Sequence, residues 1–346
     1  MPNPTNRSRI WPSLIGVAIS VGLLALILRQ VDLAQVGRNL KAAHPTPLAL
    51  AVLLATLTFP IRTLRWRILL RTAQGDPLPL IPAWHATAMG FMVNNVLPFR
   101  AGELLRPFAA TRLAGARFTS ALSSIAVERI FDGLTITALL TLSLLSPGLP
   151  AQVAIAGISV RHLAVVAGSA SAAALLVALA VVAWPLAAER AVRALVPATH
   201  LADRIVGLIE GIRQGLAALN SPSRVAGVVL WSLALWLVNA LSFYVAFAAF
   251  DIQVSFAGAL LLQGFLTVGV SLPFTPGYFG PFEAAIVAAL ALYGVVEDRA
   301  FSYAIAYHVT TFVPITLLGL WSVVRTPVRL RDLRAPTPPS EPAGPP

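Results

Sequence analysis

Apolar residues gather into nine runs along the 346-residue chain, at 13–28, 47–64, 80–97, 117–146, 161–186, 225–250, 255–272, 278–296 and 300–324. Most approach the roughly 20 residues a helix needs to cross a hydrocarbon core. The pattern predicts an all-α polytopic membrane protein. Residues 1–9 read as a cytoplasmic N-terminus, 10–325 as one transmembrane domain, and 326–346, rich in Pro and Arg, as a disordered cytoplasmic tail. The first run follows Arg7 and Arg9 as a signal peptide would, but ends at Leu28-Arg29-Gln30 with no small-residue cleavage site. It is expected to be an uncleaved span.

The polar positions between the runs set the orientation. Basic clusters at Arg7/Arg9, at Arg62, Arg65, Arg67 and Arg71, at Arg190 to Arg224, and at Arg325 to Arg334 belong on the cytoplasmic side. The uncharged loop Ser146 to Ile158 and the base-free Asp251 to Gln253 suit the outside. Arg29, Arg38 and Lys41 fall outside against the rule, partly balanced by Asp32.

With residue 71 inside and 146 outside, the run 80–97 and the charged segment 99–113 cannot both be full spans. They are expected to form a re-entrant hairpin turning at Leu97-Pro98-Phe99. The same count from Asp251 to Glu297-Asp298-Arg299 gives an opposed hairpin from 255–272 and 278–296, although each of those runs could span alone. The expected architecture is a helical bundle with about six full spans and two opposed Pro/Gly-broken hairpins, or eight spans. The turns resemble each other: Gly90-Phe91 leads to Leu97-Pro98-Phe99 and Gly102-Glu103, and Gly264-Phe265 leads to Leu272-Pro273-Phe274, Gly277, Gly280 and Glu283. Broken segments in opposite orientation point to a transport site between inverted repeats, although such short matches also arise by chance. Within 187–219, Leu201, Ile205, Leu208, Ile212 and Leu216 oppose Asp203, Arg204, Glu210, Arg213 and Gln214, which predicts an amphipathic helix on the cytoplasmic surface.

Composition agrees. Charged residues are 11% of the chain and hydrophobic ones 57%, against about 25% charged in soluble domains. The net charge of +11 does not imply nucleic acid, because the arginines flank apolar runs and no recognition module is present. The chain has no cysteine, which excludes thiol nucleophiles and thiolate metal sites. No Walker A loop, Gly-x-Ser-x-Gly elbow or His-Glu-x-x-His helix occurs, so no cofactor, metal or catalytic group is assigned.

Charge inside a span costs about 2.5–3.5 kcal/mol per residue, which makes it a functional candidate by default. In Asn94-Asn95-Val96-Leu97-Pro98-Phe99-Arg100-Ala101-Gly102-Glu103-Leu104-Leu105-Arg106, Pro98 and Gly102 break the helix. A half-helix starting near Gly102 would aim its positive end and Arg100 at an anion. Arg100 and Arg106 would chelate phosphate, with Glu103 holding either Arg or a cationic head group; the alternative is an Arg–Glu network that only pins the hairpin. Ser120, Ser124, Glu128 and Asp132 form one helix stripe at four-residue spacing, with Arg129 placed to pair with Asp132. That stripe faces either the bundle interior or a charged helix end. Glu283, following Tyr278, is either a helix-capping carboxylate or part of the site. Arg62, Arg65 and Arg67 read as topology anchors, and His85 and His308 as lone core histidines.

Three motifs then carry a resemblance. Val93 to Glu103, Glu128-Arg129-Ile130-Phe131-Asp132 and Pro276 to Glu283 together resemble the lysylphosphatidylglycerol synthase transmembrane region, the flippase-like domain family, over roughly residues 10–325. The resemblance implies lipid translocation without an aminoacyl-transfer domain. It leaves the lipid open (a phospholipid, hopanoid, glycolipid or polyprenyl-linked species) and allows a lipid-synthesis enzyme as partner. The expectation is a non-enzymatic translocator of a bacterial inner membrane, with Asn94, Asn95, Arg100, Glu103, Arg106, Ser124, Glu128, Arg129, Asp132, Tyr278 and Glu283 lining the head-group path. A membrane-embedded transferase or hydrolase, with Glu128 and Asp132 as acid and base, and a non-catalytic scaffold are the alternatives.

Overall fold

The computed structural model describes residues 31–97, 99–146, 184–195, 222–270 and 276–328, with isolated positions in 21–29, in 154–173 and at 206. The expected spans 13–28 and 161–186, the amphipathic pattern over 201–216 and the tail beyond 328 therefore lie largely outside the described residues. Among the described residues the regular structure is helical, apart from a two-residue antiparallel pairing of Ala154–Ile155 with Ile158–Ser159 and one isolated bridge.

Among the described residues ten α-helices follow in order: α1 Leu33–Ala42, α2 Pro45–Leu69, α3 Leu80–Val96, α4 Gly102–Ala114, α5 Phe118–Leu144, α6 Pro185–Leu195, α7 Pro222–Phe247, α8 Phe256–Gly269, α9 Pro281–Ala291 and α10 Glu297–Arg325. Among the described residues three stretches are long and apolar enough to cross a membrane: Pro45–Leu69, Pro222–Phe250 and Glu297–Arg325. At 27 residues, α5 is also long enough, about 40 Å at 1.5 Å per residue, but it contains the charged stripe. The chain is an all-α membrane protein.

The loops sort into two ends. At one end the Ala73 N–H donates to the Gly115 carbonyl, and Leu70, Leu78, Ala116, Val228 and Val328 share one apolar cluster. At the other the His44 N–H donates to Ala249, Asp32 meets Asp298, and Ser143 donates to Ala257. Loops expected on a common side therefore meet at a common end. In the loop expected outside against the basic-residue rule, Asp32 caps α1 through the Ala34 N–H and lies 3.7 Å from Arg38.

Both broken segments leave and return to the same end. α3 and α4 begin and end at the Ala73/Gly115 end, while α8 and α9 begin and end where Gly258 approaches Tyr293. α3 spans about 25 Å, α4 about 20 Å, α8 about 21 Å and α9 about 17 Å; none crosses a hydrocarbon core of about 30 Å. The tips abut in mid-bundle, where Arg100 donates to the Val270 carbonyl at 3.1 Å and the Asn95 carbonyl lies against Gly277. The described residues thus contain two opposed hairpins meeting tip to tip.

Packing explains the closeness. Gly90 on α3 faces Gly102 on α4, and a methyl group on Gly102 would lie 1.7 Å from the Gly90 carbonyl oxygen. Two apolar clusters, one around Phe243, Phe247, Ile286 and Tyr303 and one around Trp66, Met89 and Leu105, fill the two ends of the bundle. The charged residues lie between them.

Candidate functional site

Two long helices bring the charges together. α2 runs antiparallel to α5, so Trp66 reaches Ser124 (Nε1–Oγ 2.8 Å) while Arg65 falls between Glu128 and Asp132. Arg65 lies 2.6 Å from Asp132 and 3.5 Å from Glu128, and also donates to Ser232 on α7 at 2.9 Å. From α4, Arg106 grips Glu128 with both terminal nitrogens, and its guanidinium carbon sits 3.8 Å over the Trp66 ring. Trp236 on α7 donates its indole N–H to Asp132 at 2.8 Å. This floor is sealed: the side chains of Arg65, Glu128 and Arg106 are 1%, 2% and 5% exposed. Buried ions survive only when paired and hydrogen-bonded, and each of these is.

Above the floor lies a more open rim. Glu103 is 3.2 Å from Arg129 and 3.8 Å from Arg100, and Arg129 lies 3.6 Å from Asp132. The side chains of Arg100 and Arg129 remain 31% and 38% exposed. Tyr278, from the opposing hairpin, stands beside Arg100. Phe99, Arg100 and Tyr278 all have φ between 50° and 64°, a left-handed conformation that costs non-glycine residues energy and clusters at functional sites. Arg62, one turn before Arg65, holds its guanidinium 4.9 Å from the Phe91 ring and 5.4 Å from the Trp236 ring.

The broken helix is capped from its partner. α4 starts at Gly102, whose N–H donates to Asn94 Oδ1 at 2.8 Å, so Asn94 closes the hairpin. Asn95 donates to Thr316 on α10 at 3.3 Å. On the opposite hairpin Glu283, wholly buried, accepts the Gly280 N–H at 2.6 Å and lies 2.6 Å from His308 Nδ1. It is a cap, and it is set apart from the Arg–carboxylate cluster. Glu283→Ala should cost about 2–3 kcal/mol, since a cap is worth about 1 kcal/mol and a hydrogen bond to a charged group about 1.5–3. Glu283→Gln should retain most of that, and thermal unfolding in detergent reads both; an unchanged Tm in the alanine variant would rule the cap out.

The structure brings Arg106, Ser124, Glu128 and Asp132 together in the floor and Arg100, Glu103 and Arg129 together in the rim, and it corrects four readings. Arg65 is not a surface anchor but the centre of the floor, because α5 supplies two carboxylates beside it. Arg106 does not stand free to chelate phosphate alongside Arg100, being held by Glu128. Ser120 is exposed, so the inward stripe begins at Ser124. His308 is not a lone histidine, since Glu283 and the rings of Phe279 and Phe282, at 4.4 and 4.1 Å, enclose it. Sequence reasoning missed Ser232 and Trp236; their four-residue spacing on an apolar helix was the available signal.

The family model of the lysylphosphatidylglycerol synthase transmembrane region matches residues 13–319. The chain belongs to that family. Among similar proteins, a UPF0104 membrane protein of Methanothermobacter thermautotrophicus is 25% identical over 92% of this chain and 93% of its own length. A second UPF0104 membrane protein of that organism is 22% identical over 87% of this chain and 90% of its own. A protein named Glycosyltransferase AglD from Haloferax volcanii is 28% identical over 86% of this chain, which spans about half (51%) of that relative. Family and relatives together support a membrane-embedded, lipid-related function.

Proposed function

We propose that this chain translocates a lipid, passing its anionic or mixed-charge head group along the rim between the two hairpins while the tail stays in the bilayer. The site would lie in a bacterial inner membrane with both termini cytoplasmic. Asn94, Asn95, Arg100, Glu103, Arg106, Ser124, Glu128, Arg129, Asp132 and Tyr278 line or support the path, and Glu283 holds the opposing hairpin. The observation that carries this reading is the meeting of two opposed broken hairpins at Arg100, above a sealed ion network. Irregular backbone at membrane depth is tolerated where protein or a polar cavity satisfies it, and broken helices of this kind form transport sites.

The test compares a deletion strain with wild type, scoring each lipid species and its exposure to an impermeant outer-leaflet reagent. Translocation predicts that all species persist and one loses exposure. Arg100→Ala should reproduce that loss while the protein stays membrane-inserted; wild-type exposure in this variant would sink the assignment of Arg100. The glycosyltransferase name of one relative favours one second reading, a transferase on a lipid-linked substrate, and a species that disappears while its precursor accumulates would support it.

A further inference from the structure

The charges of the site do not balance, and the imbalance is local. In the floor, Arg65 and Arg106 face Glu128 and Asp132, two cations against two carboxylates. Above it, Arg100 and Arg129 share Glu103, Arg129 also lies 3.6 Å from Asp132, and Arg62 adds a further cation, so the site as a whole holds five cations against three carboxylates, an excess of two. Among the described residues no carboxylate lies within ion-pairing distance of Arg62, which is half-buried in a membrane-crossing helix and flanked by the Phe91 and Trp236 rings. Arginine does not shed its proton in proteins, so the excess cannot be removed by deprotonation. Protonating any of the carboxylates would enlarge it. A half-buried cation in a low-dielectric setting calls for a counter-charge, and the side chains of Arg100 and Arg129 remain partly exposed to one.

Resting on the translocation reading, we propose that the rim takes a doubly charged phosphate group, a phosphomonoester or a diphosphate, and that Arg62 is the residue selecting the second negative charge. Arg100 and Arg129, both shared with Glu103, take the first. The Phe91 and Trp236 rings hold the Arg62 guanidinium carbon at 4.9 and 5.4 Å, and a guanidinium keeps planar N–H donors suited to phosphate oxygens.

The purified full chain in phosphatidylcholine nanodiscs is titrated with short-chain fluorescent phosphatidate at pH 8, where a phosphomonoester with a second pKa of about 6 is a dianion. Parallel titrations use the phosphatidylglycerol and phosphatidylcholine analogues and inorganic pyrophosphate. Phosphatidate is expected to bind at least tenfold more tightly than the phosphatidylglycerol analogue. Arg62→Gln should abolish that preference and Arg62→Lys should retain most of it, with matching melting curves showing that both fold. Equal binding of phosphatidate and phosphatidylglycerol, or a preference untouched in Arg62→Gln, overturns the dianion inference and leaves translocation standing. Binding of pyrophosphate as tight as phosphatidate upholds the dianion but assigns it to a soluble ligand. Failure of every lipid probe to bind overturns the lipid reading itself.

Discussion

Gly102→Ala should cost about 3 kcal/mol, the upper end for overpacking a well-filled site. A Cβ at this position lies 1.7 Å from the Gly90 carbonyl oxygen and 2.7 Å from Asn94 Oδ1. The first obstacle is backbone and the second is the helix cap, so no side-chain rotation relieves the contact. α4 must move off α3, breaking the Asn94–Gly102 hydrogen bond and carrying Arg106, one turn further along α4, away from Glu128. Loss of transport should therefore accompany loss of stability. Gly133→Ala is the control: nothing lies within 4 Å of its Cβ position in mid-α5, so the alanine should be neutral or stabilise by about 0.5–1 kcal/mol. Thermal melting and protease resistance in mild detergent read both variants. If Gly102→Ala melts with the wild type, α3 and α4 do not pack backbone to backbone.

What the sequence revealed of this site follows from which constraints are local. The inward stripe Ser124-Glu128-Asp132 was legible because four-residue spacing on one helix is a sequence property. The start of α4 at Gly102 was legible because Pro98 and Gly102 interrupt an apolar run. The opposed hairpins followed from counting basic loops against apolar runs, and the loops sort into the two ends that the count requires. Arg65 escaped because it sits in a row with Arg62 and Arg67, where the preference for cytoplasmic arginine explains every member equally. Only the antiparallel register of α2 on α5 separates the buried Arg65 from its neighbours. Ser232 lies 167 residues from Arg65 and Trp236 lies 104 from Asp132, and no local pattern joins either to its partner. Glu283 and His308 each stand as a titratable residue in an apolar helix, and their pairing is a tertiary fact.

Glu128→Gln should be as damaging as any polar substitution in the protein, at about 3–5 kcal/mol, because it breaks a buried ion pair from one side. Arg106 loses its carboxylate, and Arg65 keeps only Asp132. Removing Arg106 as well should reverse this. In Arg106→Gln/Glu128→Gln the two amides can bond to each other, and Arg65 and Asp132 remain as a matched pair. Replacing both members of a buried pair is often neutral in stability, so the double variant should melt close to wild type. Transport separates function from scaffolding. If the floor only pins α4 to α5, lipid exposure should return together with stability. Under the translocation reading it should not, because the floor beneath the rim then carries one ion pair, Arg65–Asp132, where it had two. A double variant that is stable and fully active would make the Arg106–Glu128 pair a structural clamp and confine the head-group path to Arg62, Arg100, Glu103 and Arg129. A stable but inactive one would show that the charges themselves are required.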